Sequence, residues 1–296
     1  MSGSNEPEKH LSKRPGYSRR YHFSCCVFLF RSLLNSQKWL SRNFDKILPE
    51  KFRLDGHRDY QERIVPNYLQ ENLVIYDVGG GKRPYLKFSE KNRIKATVVG
   101  IDINEEELNK APEGAYDKLI CQDIACFRGD NDGDILICQA LLEHVNDVDA
   151  AFASFSSILK PGGLALIFVP SRNALYARLN MLLPQSIKKA ILLLLYPQTE
   201  KKHGFHGYYH KCTPDELKAL ACAYNFSVIA EFYYYNSMYF SFFFPFYLVW
   251  RLGLLAFYSV AKEQAAETFV LVLKKETRQP ILQNCEQGNR KAGYSQ

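Results

Sequence analysis

An α/β fold, with a mostly parallel sheet covered by helices on both faces, is the class that this 296-residue chain predicts. Three observations carry the prediction. From residue 72 onward, short β-rich runs alternate with helical stretches. The runs are apolar along their whole length instead of alternating, as in strands buried on both faces. A composition of 47% hydrophobic and 23% charged residues supports a sizeable core and excludes wholesale disorder and collagen-like repeats.

The chain opens on a basic leader. Residues 1–53 hold 11 Lys+Arg against 4 Asp+Glu, whereas residues 54–296 hold 27 of each, so the net charge of +7 sits wholly in the leader. A neutral globular part argues against a nucleic-acid groove in the core. Lys13 to Arg20 followed by HFSCCVFLF (22–30) mimics a secretory signal, but Arg31 ends the apolar run and no A-x-A-like cleavage site follows. Phe23, Val27, Phe30 and Leu34 recur at helical spacing. We expect residues 1–20 to be a flexible tail and 22–47 an amphipathic helix, the two making a leader over 1–50.

The expected strands are LVIYDV (73–78), TVVGID (97–102), KLICQD (118–123), DILICQ (134–139), LALIFV (164–169), FSVIAEFYYY (226–235) and ETFVLVLKK (267–275). Between the fourth and fifth, Val148, Phe152, Phe155 and Leu159 share one helical face. TPDELKALACAYNF (213–226) reads as a helix with Thr213 as N-cap and Pro214 at the first turn. The domain is expected over 51–275, and the polar tail 276–296 to be disordered. The eight cysteines show no metal-ligand spacing, and Cys121 and Cys138 lie in apolar runs; thiols in a reduced, cytoplasmic compartment are expected.

The strongest chemical signal is Asp77-Val78-Gly79-Gly80-Gly81, where the first strand ends. Ligands of open α/β sheets bind at the carboxyl ends of strands, and glycines there let backbone approach a ligand and leave N–H groups free to hold an anion. Dinucleotide and P-loop spacings both fail, because a required glycine position falls on Pro84, Tyr85 or Leu86. A carboxylate facing a glycine turn suits a zwitterion: Asp77 for an ammonium, backbone N–H for a carboxylate. Asp102 ends the next strand, where it can accept both hydroxyls of a ribose. Asp123-Ile124 ends the third and suits an adenine amino group beside an apolar wall. Amino acid, ribose and adenine in that order describe S-adenosylmethionine.

DVGGG (77–81), VVGIDI (98–103), CQDI (121–124), DILICQALLEHV (134–145) and ILKPGGLALIFVP (158–170) resemble successive motifs of the class I SAM-dependent methyltransferases, in the subgroup that includes ubiquinone and menaquinone methyltransferases. The resemblance covers about residues 72–170. It implies a Rossmann-like seven-stranded sheet with an antiparallel last strand, and cofactor contacts at Asp77, Gly79, Gly80, Gly81, Asp102, Ile103, Asp123, Ile124 and Gln139. One departure is Arg83-Pro84 in place of a third glycine; Pro84 would suit the first position of a helix.

Methyl transfer from a sulfonium is an in-line displacement, so alignment supplies much of the rate, and a base is needed only when the acceptor must lose a proton. Histidines are the natural candidates. The resemblance puts Glu143-His144 near the cofactor, and KKHGFHGYYHKCTP (201–214) offers His206 and His210 at the border of an acceptor pocket. His144 could equally brace its loop, and the others could be solvated. Strand four lacks the N/D-P-P-Y/F pattern of adenine and glutamine methylation, and no metal-ligand cluster is visible.

Two apolar insertions, 171–212 and 236–266, interrupt the alternation on the cofactor side and are expected to form a lid. Ile187, Ala190, Ile191, Leu194 and Leu195 make a helical stripe in the first. In the second, 19 of the 24 residues from Met238 to Ala261 are hydrophobic and Arg251 is the sole charge. Length alone allows a membrane span, but a central Arg, Pro245 and the return of the chain to one sheet favour a surface-lying or re-entrant hairpin. A self-burying cap or a homodimer interface would satisfy the same residues. The sequence therefore points to a SAM-dependent methyltransferase of a hydrophobic or lipid-linked small molecule, such as a quinone precursor or lipid-carried glycan, peripheral at the inner face of a membrane. A soluble small-molecule methyltransferase with a dimerising lid and a non-catalytic SAM-binding scaffold stand as alternatives; nucleic acid is not an expected partner.

Overall fold

The computed structural model describes residues 18–184, 186, 207–236 and 239–277, with side chains from residue 32. Seven strands form one sheet: β1 (Val74–Val78), β2 (Thr97–Asp102), β3 (Lys118–Cys121), β4 (Gly133–Gln139), β5 (Leu159–Pro170), β6 (Phe226–Tyr234) and β7 (Thr268–Lys275). Their order is β3-β2-β1-β4-β5-β7-β6. β7 alone runs antiparallel, pairing with β5 on one side and β6 on the other. Strand order reverses between β1 and β4, and the carboxyl ends of strands at such a reversal are where ligands of open α/β sheets bind.

Alternation along β4 explains the two-sided core. Leu136 and Cys138 point to one face with Phe152, Phe155 and Leu217, whereas Ile135 and Ile137 point to the other with Tyr60, Ile64 and Leu86. The first face is covered by α5 (Val148–Ile158), N-capped by Asp147, and α7 (Pro214–Ala223), whose N-cap Thr213 accepts from Glu216 N–H as its sequence signature predicts. Leader helix α1 runs Ser18–Lys46, close to expectation. A short helix α2 (Gly56–Asp59) continues through a π turn to Ile64 and covers the second face.

Four expectations are corrected. Pro84 does not start a helix: Asp77 Oδ2 accepts the Tyr85 N–H at 2.7 Å, which holds this stretch as a loop, and α3 begins later (Phe88–Arg93). The second insertion is no hairpin among the described residues; it is one helix, α8 (Phe244–Ala261), laid against α1. Phe44 packs edge-on against Phe244, Gln37 Oε1 accepts the Phe244 N–H, and Ser41 Oγ donates to Ser241 O. Glu276 belongs to the fold, since its N–H and carbonyl pair with Asn225. Cys121, Cys126, Cys138 and Cys212 are free thiols, whereas Cys222 is in a disulfide, against the expectation of thiols throughout. The stripe at 187–195 lies outside the described residues, as do His206 and the tail from 278.

Candidate active site

The glycine turn takes its shape from backbone requirements. Gly79 has φ of 79° and Gly81 of 49°, left-handed values that favour glycine. A Cβ on Gly80 would lie 2.5 Å from Tyr116 Oη and 2.6 Å from Asp77 Oδ2, and one on Gly81 would lie 3.0 Å from Asp102 Oδ2. The turn is thus pressed between the ends of β1 and β2, bringing Asp77, Gly80, Gly81 and Asp102 together. On its other side, a Cβ on Gly79 would meet the Leu141 side chain at 2.9 Å, so the loop leaving β4 borders the same turn.

Asp77 is buried, and its Oδ2 accepts from Tyr85 N–H and, at 3.2 Å, from Tyr116 Oη. Burial pushes its carboxyl up to about 6, against the pull of those two donors. Asp102 is half-buried; burial also raises it, and its Oδ1 accepts the Asn104 N–H at 2.9 Å. Ile103 beside it is exposed. Asp123 Oδ1 accepts the Ala125 N–H, while the Ile124 side chain turns into the core and its carbonyl accepts from Ser154 Oγ.

Gln139, at the end of β4, is the centre of a polar cluster. Its Oε1 accepts from Gln61 Nε2 at 3.2 Å, and its Nε2 lies 2.6 Å from His57 Nε2. The His57 ring stands edge-on to Phe168 with centroids 6.0 Å apart, and the Phe168 carbonyl accepts the Ala140 N–H. Tyr85 ties this cluster to the glycine turn, because its Oη donates to Gln61 O while its N–H serves Asp77.

Glu143 is buried, and burial pushes it up to about 8. Its carbonyl accepts Tyr208 and Tyr209 N–H, which brings the segment before α7 to the loop after β4. His144 Nε2 lies 3.8 Å from Glu143 Oε1. His210 is exposed, and its Nδ1 is 2.9 Å from Asn146 O, beside Lys211 and Asp149. The sequence reading had no place for His57, Gln61, Tyr85 or Tyr116. Asp55, a good N-cap residue, with Tyr60 and Ile64 at i, i+4 spacing after it, was the available signal for the helix that carries two of them.

A family model described as a methyltransferase domain matches residues 37–231. The ubiquinone biosynthesis O-methyltransferase of Colwellia psychrerythraea is 29% identical over 159 residues, covering 49% of this chain and 57% of that protein. The protein of the same name from Bordetella avium is 28% identical over 134 residues, 43% and 51% of the two chains. The chain spans about half the length of the curated relatives it matches. Among solved structures, a putative S-adenosylmethionine-dependent methyltransferase from Listeria monocytogenes aligns with a TM-score of 0.49 at 11% identity, over 75% of this chain and 99% of that one. Phosphoethanolamine N-methyltransferase 2 of Haemonchus contortus aligns at 0.48 and 14% identity, over 84% and 60%.

Proposed function

The chain belongs to the methyltransferase-domain family, and we propose that it transfers the methyl group of S-adenosylmethionine to a hydroxyl of a hydrophobic, lipid-linked acceptor of the quinone-precursor kind. The observation that carries this reading is the convergence of Asp77, the glycine turn, Asp102 and the β4 exit at the strand-order reversal. The residues fit the donor. A Cβ on Gly80 would collide with Asp77 and one on Gly81 would crowd Asp102, so glycine backbone lies directly against both carboxylates, as a site for an amino-acid end requires. Asp77 supplies the counter-charge for its ammonium, Asp102 accepts from the ribose, and Asp123 and Ile124 border the purine.

When bound, the sulfonium supplies an electrophilic methyl group. The protein's part is alignment and dehydration: Leu141 closes one side of the turn, and Gln139 presents an amide where the β4 exit leaves the sheet. The hydroxyl acceptor is supported by the name of the matched relatives, O-methyltransferases of ubiquinone biosynthesis. Its hydrophobic character is supported by the α1/α8 layer, which leaves Leu33, Trp39, Phe246, Val249, Leu252 and Val260 exposed, with Arg42, Lys46, Lys51 and Lys262 exposed along it. Such a surface suits peripheral docking on an anionic membrane.

S-adenosylhomocysteine calorimetry followed by transfer of labelled methyl to a lipid extract tests the reading. Binding of the product analogue, with label in an alkali-stable lipid product that disappears in Asp102→Ala, is expected. Absence of binding by the wild-type chain would overturn it.

A further inference from the structure

We propose that His57 is the base that takes the acceptor's proton, with Gln139 holding the acceptor oxygen beside it; this rests on the methyl-transfer reading above. The placement is built, not accidental. Asp55 caps α2, its Oδ1 accepting the N–H of His57 at 3.0 Å and of Arg58 at 3.2 Å. Gly56 is pressed onto the sheet so tightly that a Cβ would lie 2.6 Å from Thr268 Oγ1 and from the Tyr234 ring. One turn later the fully buried Tyr60 anchors the segment, its Oη donating to Leu166 O at 2.7 Å. Between these fixed points His57 projects over the carboxyl ends of β4 and β5, against Phe168 and Gln139.

The hydrogen-bond polarity sets the ring's chemistry. Gln61 donates to Gln139 Oε1, which leaves the Gln139 amide nitrogen, with only hydrogens to offer, 2.6 Å from His57 Nε2. Facing that nitrogen, His57 Nε2 takes the acceptor's part, the part a general base plays toward a hydroxyl. A hydroxyl entering between the two side chains would donate to Nε2 and accept from the Gln139 amide, replacing one hydrogen bond with two. As the C–O bond forms, the hydroxyl proton passes to Nε2 and the C–S bond breaks with its electron pair going to sulfur. The products are the methyl ether, S-adenosylhomocysteine and an imidazolium, which returns its proton to water through the exposed ring. The other described histidines are placed differently: His210 Nδ1 is engaged by a backbone carbonyl, and His144 sits beside the Glu143 carboxyl. Ionisable groups near His57 are Asp55, Arg58, Asp59 and Glu62 on its own segment, and Asp77 through Tyr85.

The test compares wild type with His57→Gln and His57→Ala on a phenolic acceptor at saturating donor, measuring S-adenosylhomocysteine affinity in parallel. Loss of a base costs on the order of 10²-fold in kcat. We expect that loss in both variants, product-analogue affinity within twofold of wild type, removal of the one-proton acid limb from the kcat profile, and partial rescue of His57→Ala by added imidazole. A wild type that binds the analogue but methylates no acceptor would count against the methyl-transfer reading itself. With wild-type turnover established, kcat within threefold and an unchanged profile in His57→Gln would overturn the assignment. So would a tenfold loss of analogue affinity in both variants, which would make His57 a structural or cofactor-holding residue.

Discussion

Arg251 offers the sharpest test of how the α1/α8 layer is held. It is fully buried in an otherwise apolar helix. Its two terminal nitrogens donate to Tyr235 O at 2.5 Å and Phe52 O at 2.6 Å, and its Nε lies 3.0 Å from Asp45 Oδ1, an ion pair without the alignment of a hydrogen bond. Asp45 in turn accepts from Tyr247 Oη, and burial raises its carboxyl against the opposing pull of Tyr247 and Arg251. Arg251→Met keeps much of the volume but strands a buried carboxylate and two backbone carbonyls. Removing one partner of a buried pair costs about 3–5 kcal/mol. At about 2–4 °C per kcal/mol for a domain of this size, thermal unfolding should fall by roughly 6–20 °C. The double variant Asp45→Asn/Arg251→Met removes the stranded charge and should recover about 0.5–3 kcal/mol relative to the sum of the single changes. Differential scanning calorimetry of the four proteins reads both quantities, and limited proteolysis shows whether α8 opens alone. A shift below about 2 °C for Arg251→Met, or strict additivity in the double variant, would refute the account.

Other consequences can be checked independently. Asp77 is raised to about 6, so an ammonium ligand that favours its charged form should bind more tightly as pH rises from 5 to 7, releasing a proton in that window; S-adenosylhomocysteine calorimetry in buffers of different ionisation enthalpy measures it. The same shift means Asp77 contributes stability that is greatest below the ordinary carboxylate range and falls as pH rises through 6, so unliganded protein should not gain stability there from this group. Gly80→Ala places a methyl 2.5 Å from Tyr116 Oη and 2.6 Å from Asp77 Oδ2, and should weaken analogue binding at least tenfold with the fold retained by circular dichroism. Val249 and Val260 are 68% and 85% exposed on α8, and converting both to Asp should cut partitioning onto anionic liposomes at least about a hundredfold without lowering the melting temperature, given about 1.5 kcal/mol for each valine buried and a factor of ten for each 1.4 kcal/mol. Unchanged flotation would mean that α8 does not face the lipid.

Local chemistry made the strands legible. Each apolar run became a strand within a few residues of its expected ends, from LVIYDV as Val74–Val78 to ETFVLVLKK as Thr268–Lys275. Thr213 and Pro214 announced α7 because capping is a property of adjacent residues. The antiparallel β7 was expected only through the family resemblance, since nothing within a strand states its direction. What escaped the sequence reading depends on contacts between distant segments. Arg251 looked like a cost of entering a membrane because Asp45, Phe52 and Tyr235, which surround it, are spread along the chain. Pro84 looked like a helix start because the competing bond from Tyr85 N–H to Asp77 is visible only once the turn is folded. His57 sits in a polar stretch, LDGHRDYQERIVP (54–66), with no motif to mark it, and gains meaning from Gln139 on a strand that enters much later.

These long-range contacts place two features on one short tether. Arg251 binds the Phe52 carbonyl, and Asn236, at the base of the α8 insertion, donates to the Arg53 carbonyl at 2.9 Å. Lys51 reaches Tyr258 Oη at 2.9 Å, so α8 and the strand leading into it grip residues 51–53 from three sides. Asp55 caps the next helix, and His57 follows within its first turn. His57, the side chain that meets Gln139, therefore lies only four or five positions after the Arg53 and Phe52 carbonyls held by the α8 insertion. A single misplaced ångström at a reacting group can cost about 10²-fold in rate. An α8 seated against Phe52 keeps that segment in register, and the same helix turns its uncovered valines, leucines and phenylalanines outward. The exposed apolar face of α8 and the His57–Gln139 cluster are thus anchored to the same stretch of backbone, so a change in how α8 packs on Phe52 is transmitted to His57.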